Sequence, residues 1–206
     1  SNHGRTYLLP DGQVELISMT SLLGQVLKDK TKALEKWKKR VGAVEAAKIS
    51  VEATTKGKSF HAMAEAYLSN NLSYADLSEI DINRFERALS SLNRIDNVRH
   101  IEQGMYSKSL RIAGTVDCIA EFDGVLSVID HKTSRSLKRE AWLESYFLQE
   151  TGYALMYHEM TGTKIEQIVT IISVEEENFC QVFVKKTADY EDRLMSLIAE
   201  YYREDV

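Results

Sequence analysis

The spacing of apolar residues divides the chain into a helical first half and a second half that is rich in strands. Three segments have helical character, namely residues 41–53, 58–68 and 82–95. Thr20 is placed to cap a further helix that runs to about Trp37. Before that helix, residues 6–18 predict a short hairpin that turns at Asp11 and Gly12.

The pattern changes near residue 100. Strands are predicted at residues 100–107, 111–122, 125–131, 165–175 and 180–186. Helices are predicted at residues 140–160 and 188–203. This order indicates an α/β (α+β) fold with a mixed β-sheet flanked by helices. We expect a single domain over residues 1–206, in which residues 1–99 form a mainly helical N-terminal part and residues 100–206 form the sheet core.

Composition restricts the function only weakly. The formal net charge of −5 does not by itself indicate nucleic-acid binding, because such domains are often basic. No apolar run approaches the ~20 residues that a membrane span needs, so we expect no membrane association. Cys118 and Cys180 lie in apolar strand segments and form no CxxC pair, which predicts buried thiols and a cytoplasmic location.

Two basic runs qualify the negative net charge. Residues 28–40 contain seven lysine or arginine residues, and residues 132–139 contain four. A solvated helix face is the ordinary explanation of such a run. The second run follows the acidic pair described next, so it is the stronger candidate for contacts with phosphate.

A tight hairpin brings two aspartates together. The Asp123-Gly124 step between two apolar runs is the strongest short-range hairpin signal. Counting outward from that turn places Asp117 opposite Asp130, with Lys132 diagonal to them on the same face. The other face is expected to pack as core, through Val116, Cys118, Ala120, Phe122, Val125 and Ile129.

Two carboxylates opposed across a hairpin repel each other, and something must offset that repulsion. A divalent cation such as Mg²⁺ does so best, because it prefers carboxylate and water oxygens. A shared proton or a bridge from Lys132 are the alternatives. An Asp and a Lys two residues apart are common on strands, so the interpretation depends on the register, which one bulge would shift.

Three short motifs follow one another along the chain, GxxD at Gly114–Asp117, DxKTS at Asp130–Ser134 and QxxxY at Gln149–Tyr153. A helical histidine, His61, precedes them. This series resembles the core of the PD-(D/E)XK nuclease superfamily, specifically its RecB-like exonuclease branch. The N-terminal stretch is also similar to phage-encoded and mitochondrial exonucleases of that branch. The resemblance implies a restriction-endonuclease-like fold with residues 100–206 as its catalytic core.

The resemblance also implies roles for individual residues. It assigns Mg²⁺ or Mn²⁺ binding to His61, Asp117, Asp130 and the backbone carbonyl of His131. Lys132 would position the attacking water and stabilise the charge that develops on phosphorus. The alternative for His61 is a helical ion pair with Glu65, one turn later.

The QxxxY helix adds two candidates. Gln149 and Tyr153 share a helix face, where an aromatic stripe is usually core, but the resemblance implies that they reach the active site. Glu102, on the preceding strand, is a candidate for a supporting role around the metal ligands. DNA binding is predicted for Thr133, Ser134, Arg135, Lys138 and Tyr153.

The implied function is metal-dependent exonucleolytic hydrolysis from ends of single-stranded DNA, in phage or host DNA recombination, replication or degradation. Recombination or replication proteins are then expected partners, and the host cytoplasm is the expected location if the chain is phage-encoded. Three other functions stay open at this point: an endonuclease acting on branched DNA, a non-catalytic DNA-binding module, and an acidic protein-interaction domain in which Lys132 forms a salt bridge.

Overall fold

A computed structural model describes residues 4–9, 12 and 14–204, without the side chains of residues 28–31, 76 and 204. The strands are β1 (Thr6–Leu8), β2 (Glu15–Ser18), β3 (Ile95–Ser107), β4 (Ile112–Phe122), β5 (Val125–Ser134), β6 (Gln167–Val174) and β7 (Cys180–Lys186). The helices are α1 (Met19–Val26), α2 (Lys28–Val41), α3 (Ala43–Leu68), α4 (Glu79–Leu92), α5 (Glu144–Thr161) and α6 (Ala188–Glu204). Short 3-10 turns occur at Tyr74–Asp76 and Glu140–Trp142.

The strands form one mixed sheet in the order β1-β2-β4-β5-β6-β7, with β3 antiparallel to β4. β3 occupies one edge of β4, whereas β2 and β5 share the other edge. β2 pairs in parallel with Ile112 and Ala113, and β5 pairs with residues 118–122. In the described part of the chain, residues 114–117 therefore lack a strand partner on that edge. We call this interruption the β4 gap, and it coincides with the GxxD motif.

Helices cover both faces of the sheet. α1, α5 and α6 pack on one face around residues such as Leu22, Phe147 and Leu194. α3 and α4 pack on the other face, around Phe60 and Phe85. The predicted fold class, a restriction-endonuclease-like mixed sheet flanked by helices, is confirmed.

The core prediction for the hairpin is confirmed in part. Four residues of the expected apolar face join the cluster under α3 and α4, namely Cys118, Ala120, Phe122 and Ile129. Val116 instead belongs to the cluster under α1, α5 and α6, and Val125 is 46% exposed because it borders the turn. The opposite face is not an open acidic cleft along its length, since Ile119 and Val128 on it are fully buried.

The N-terminal helices differ from the prediction. Ser18, rather than Thr20, caps α1, because its side-chain oxygen accepts a hydrogen bond from the Ser21 N–H at 3.1 Å. α1 then ends at Val26 instead of running to Trp37, because the backbone of the next residue leaves the helical region.

The two helices predicted at 41–53 and 58–68 are one continuous helix, α3. Gly57 lies inside it, and a Cβ placed there would come within 3.8 Å of the Thr133 hydroxyl on β5. A contact at that distance is ordinary van der Waals packing, so the helix continues through Gly57 although glycine costs ~1 kcal/mol in a helix interior.

Both predicted hairpins are present. β1 pairs antiparallel with β2, although Asp11 of the predicted turn lies outside the described residues. Asp123 and Gly124 have φ values of 52° and 78°, the left-handed conformation that a tight two-residue hairpin requires. β3 begins at Ile95, earlier than expected, and its pairing with β4 shifts register between Asp96 and His100. In the described residues, no helix is both long and apolar enough to span a bilayer.

Candidate active site

Asp117 lies at the end of the β4 gap, where β4 and β5 separate. The hairpin has the predicted register as far as Cys118, and the pairing of β4 with β5 ends there. Instead of forming a further ladder pair with Asp130, the Asp117 carboxylate accepts a hydrogen bond from the His131 N–H at 2.8 Å. The gap therefore places an acidic side chain, only 11% exposed, at a break in an otherwise continuous sheet.

Three potential metal ligands meet beside this point. His61 Nδ1 lies 3.2 Å from Asp117 Oδ2 and 3.9 Å from Glu102 Oε1. The ligand atoms of all three residues lie within 4.8 Å of one another. Two carboxylates and an imidazole are a donor set that suits a divalent ion such as Mn²⁺. Burial, and then the charge of Asp117, raises the pKa of Glu102, and a bound cation would relieve that repulsion.

Glu102 is the ligand candidate that sequence reasoning placed only in a supporting role. It lies between two ladder pairs, Ile101 with Cys118 and Gln103 with Val116, which bring it beside Asp117. Its φ of +47° marks a backbone irregularity, and the register shift earlier in β3 disturbs simple counting from the sequence. Among the described residues, the cluster pairs Asp117 with Glu102 and His61, and Asp130 lies outside it.

Asp130 is held in an ion pair on the α5 side of the sheet. It is 1% exposed, its Oδ2 pairs with Lys132 Nζ, and Gln149 Nε2 donates a hydrogen bond to its Oδ1 at 3.3 Å. Burial raises the pKa of Asp130, and the ammonium group opposes that effect. Burial alone would lower the pKa of Lys132, but Asp130 and Asp117 hold it above its ordinary value, so Lys132 stays charged at neutral pH.

A second buried carboxyl, which the sequence did not indicate, lies near this pair. Glu150 is fully buried and accepts a hydrogen bond from the Thr170 hydroxyl at 2.5 Å. Thr170 is in turn the ladder partner of Asp130. Burial, followed by the charge of Asp130, raises the pKa of Glu150 well above its ordinary value, which favours its neutral form. Nothing in its helical spacing distinguishes it from a surface glutamate.

The GxxD and QxxxY motifs meet in the β4 gap. A Cβ on Gly114 would lie 2.7 Å from the ring carbon Cε1 of Tyr153, so the glycine makes room for the tyrosine. Tyr153 is 3% exposed, and its hydroxyl lies 3.5 Å from Gln149 Nε2. Gln149 therefore links Tyr153 to Asp130. Tyr153 was also expected to contact DNA directly, but its burial favours a role in packing between α5 and the sheet.

The His131 side chain packs away from Asp130 and Lys132, as expected for a regular strand. Its ring meets Phe60 edge-on at a centroid distance of 6.0 Å. Burial, reinforced by the proximity of His61, lowers the pKa of His131 to about 3, so its ring is neutral at physiological pH. The metal contact predicted for its backbone carbonyl stays a prediction.

The residues predicted to bind DNA differ in accessibility. Arg135 is 87% exposed at its side chain and forms an ion pair with Glu176 at 3.1 Å. Thr133 and Lys138 are half-buried. Ser134 is mostly buried, and its hydroxyl donates to the Ser136 carbonyl at 2.6 Å, so little of it is available to a phosphate.

Comparisons with known proteins identify the family of the chain. A family model described as the PD-(D/E)XK nuclease superfamily matches residues 79–204. Human mitochondrial genome maintenance exonuclease 1 is 31% identical over 146 residues, covering 66% of this chain and 42% of that protein. The mouse protein of the same name is 31% identical over 128 residues, covering 59% of this chain and 38% of that protein. This chain thus spans about two fifths of the curated relatives that it matches.

The crystal structure of SSO0001 aligns with a TM-score of 0.43 at 12% identity, over 90% of this chain and 85% of that one. The match to the family model covers the β4 gap, the Asp130–Lys132 pair and the QxxxY helix. The chain belongs to the PD-(D/E)XK nuclease superfamily.

Proposed function

We propose that the chain is a divalent-metal-dependent DNA exonuclease that hydrolyses phosphodiester bonds from the ends of single-stranded DNA, with Mg²⁺ or Mn²⁺ as cofactor. The supporting observation is the cluster of His61, Glu102 and Asp117 beside the buried Asp130–Lys132 ion pair. Clustered acids can hold the metal that assists phosphodiester hydrolysis, and a charged lysine can stabilise the negative charge that develops on phosphorus.

Each group has a separable task. His61, Glu102 and Asp117 would hold the metal ion, with Asp130 bordering them. When bound, the ion supplies Lewis acidity toward the phosphate and a lowered pKa for a bound water. Lys132 keeps its proton and offers a compact positive charge to the negative charge that develops on phosphorus. Gln149 fixes the orientation of the Asp130 carboxylate through its hydrogen bond.

The basic helix α2 supports DNA as the substrate. It carries seven basic and two acidic residues in a chain whose net charge is negative. The described residues of α2 and the first half of α3 are largely exposed, as expected for helices that border a substrate channel. A channel that only a strand end can enter would explain exonucleolytic action, which the names of the mitochondrial relatives also support. Recombination or replication proteins are proposed as its partners.

The proposal is tested with end-labelled single-stranded DNA and the wild-type protein in Mg²⁺ or Mn²⁺. We expect stepwise shortening of linear strands and no cleavage of a covalently closed circular single strand. Label at either end reports the polarity. Opening of the circle would identify an endonuclease instead, and absence of cleavage under any divalent metal, with DNA binding retained, would indicate a non-catalytic DNA-binding module.

Metal binding gives an independent prediction. Asp117→Asn should weaken Mn²⁺ binding by about 10–100-fold, because the substitution removes an anionic ligand from the cluster. Titration calorimetry on the DNA-free protein measures this without reference to cleavage. Glu121→Gln, at the far end of the same strand, is the control and should bind Mn²⁺ as the wild type does. Equal affinities of the two variants would contradict the assignment of this cluster as the metal site.

A further inference from the structure

A cavity of about 370 Å³ lies between α1, α2 and α5. We call it the α1–α5 cavity. Leu23, Leu27 and Leu34 give it apolar walls, while Thr20 and Ser145 add polar groups. Its volume falls in the ~300–1,000 Å³ range of ligand pockets, which are likewise mostly apolar with a few polar groups. The cavity thus has the size and lining of a site for a small, partly polar molecule.

The cavity borders the candidate active site, because two of its lining residues contact the Asp130–Lys132 pair. Tyr146 and Gln149 of α5 line it. Gln149 also donates the hydrogen bond to Asp130, and the Tyr146 ring centroid lies 5.4 Å from Lys132 Nζ. A nucleotide whose phosphate lies at Lys132 therefore has this cavity within reach of its base.

We propose that the α1–α5 cavity binds a nucleobase of the single strand at the reacting end, with Tyr146 as its stacking surface. The inference rests on the proposed nuclease function. Unpaired bases bind by stacking on aromatic side chains and by hydrogen bonds along their edges, and the cavity offers both kinds of group. Leu34 belongs to the basic helix α2, so the same element lines the cavity and attracts the phosphate backbone. An apolar peptide side chain would match the walls but would not account for the basic charge of α2 or for the contact of Tyr146 with Lys132.

Gly24 provides a way to fill the cavity without disturbing its walls. It lines the cavity from α1, and a Cβ placed on it meets no atom within 4 Å. Gly24→Leu would therefore occupy the space intended for the base. The substitution should not impair folding, because glycine is the less favourable residue in a helix by about 1 kcal/mol. Gln25→Leu adds the same side chain on the same helix at an exposed position outside the lining, and it is the matched control.

The experiment compares kcat/KM on strands in which a single abasic residue is moved stepwise from the end. For the wild type, we expect one position at which the missing base reduces kcat/KM about tenfold, the effect of losing one stacked base. Gly24→Leu should lose a similar factor on normal DNA and should show no further loss with the abasic strand. Gln25→Leu should keep both the wild-type rate and the sensitivity to the missing base. Uniform rates along the abasic series, or full sensitivity in Gly24→Leu, would overturn the proposal.

Binding separates this inference from the nuclease proposal. A fluorescent base analogue at the sensitive position, with Ca²⁺ present to prevent turnover, reports stacking directly. If the wild type does not cleave DNA, the analogue is placed at each position in turn. A stacking signal lost only in Gly24→Leu would support the cavity while rejecting the nuclease function. Cleavage by the wild type without any stacking signal would reject the base site and leave the nuclease function intact.

Discussion

Lys132→Met should reduce the rate of DNA cleavage by about 10²–10³-fold, the usual cost of removing one group that stabilises transition-state charge. Methionine keeps the length and apolar stem of lysine but removes its charge. DNA binding should be largely retained, since one ammonium group is a small part of the basic surface. The measurement is single-turnover cleavage of end-labelled single-stranded DNA with saturating metal, beside an anisotropy measurement of DNA affinity in Ca²⁺.

Two comparisons make that result specific. Lys164→Met removes an exposed lysine whose partner is Glu166, remote from the cluster, and should cleave DNA at the wild-type rate. Thermal unfolding of Lys132→Met shows whether the buried Asp130 tolerates the loss of its partner, because an unpaired buried charge is costly. Cleavage by Lys132→Met at the wild-type rate would remove Lys132 from the mechanism. Loss of cleavage with normal folding and DNA binding is the result that the assigned role requires.

The features of this site that depend on adjacent residues could be predicted from the sequence. The features that depend on the pairing of distant strands could not. The Asp123-Gly124 turn depends on two adjacent residues, and the register it predicts is present up to Cys118. The expected meeting of Asp117 with Asp130 fails as a ladder pair, because it depends on where the chain places β2. β2 occupies the start of the same β4 edge and leaves the gap in which Asp117 bonds to the His131 N–H.

Glu102 illustrates the same limit. Its proximity to Asp117 depends on the pairing of β3 with β4, whose register shift no periodicity reveals. The choice of Ser18 rather than Thr20 as the cap of α1 is similarly decided by the backbone just before the helix. Four of the five residues that converge here were nevertheless candidates from the sequence. The hairpin register indicated Asp117, Asp130 and Lys132, and the family resemblance added His61.

The close contact between Gly114 and Tyr153 has a measurable consequence of its own. Gly114→Ala should lower the free energy of unfolding by about 1–3 kcal/mol, the usual cost of inserting atoms into a packed core. The added methyl would lie 2.7 Å from the Tyr153 ring, which is held between α5 and the sheet and cannot move aside freely. Displacement of that ring would also disturb Gln149 and through it Asp130, so cleavage should fall as well. Urea unfolding and the single-strand cleavage assay measure the two effects.

Gly104→Ala is the matched control. Gly104 lies on the neighbouring strand β3, and a Cβ there meets no atom within 4 Å. This substitution should leave stability unchanged or raise it by up to about 1 kcal/mol, through the loss of chain entropy in the unfolded state. In a Tyr153→Leu background, which lacks the ring atoms that clash, Gly114→Ala should cost far less than in the wild type. If Gly114→Ala lowers the free energy of unfolding equally in both backgrounds, the glycine is needed for the backbone conformation of β4. The contact with Tyr153 would then not be what joins the GxxD and QxxxY motifs.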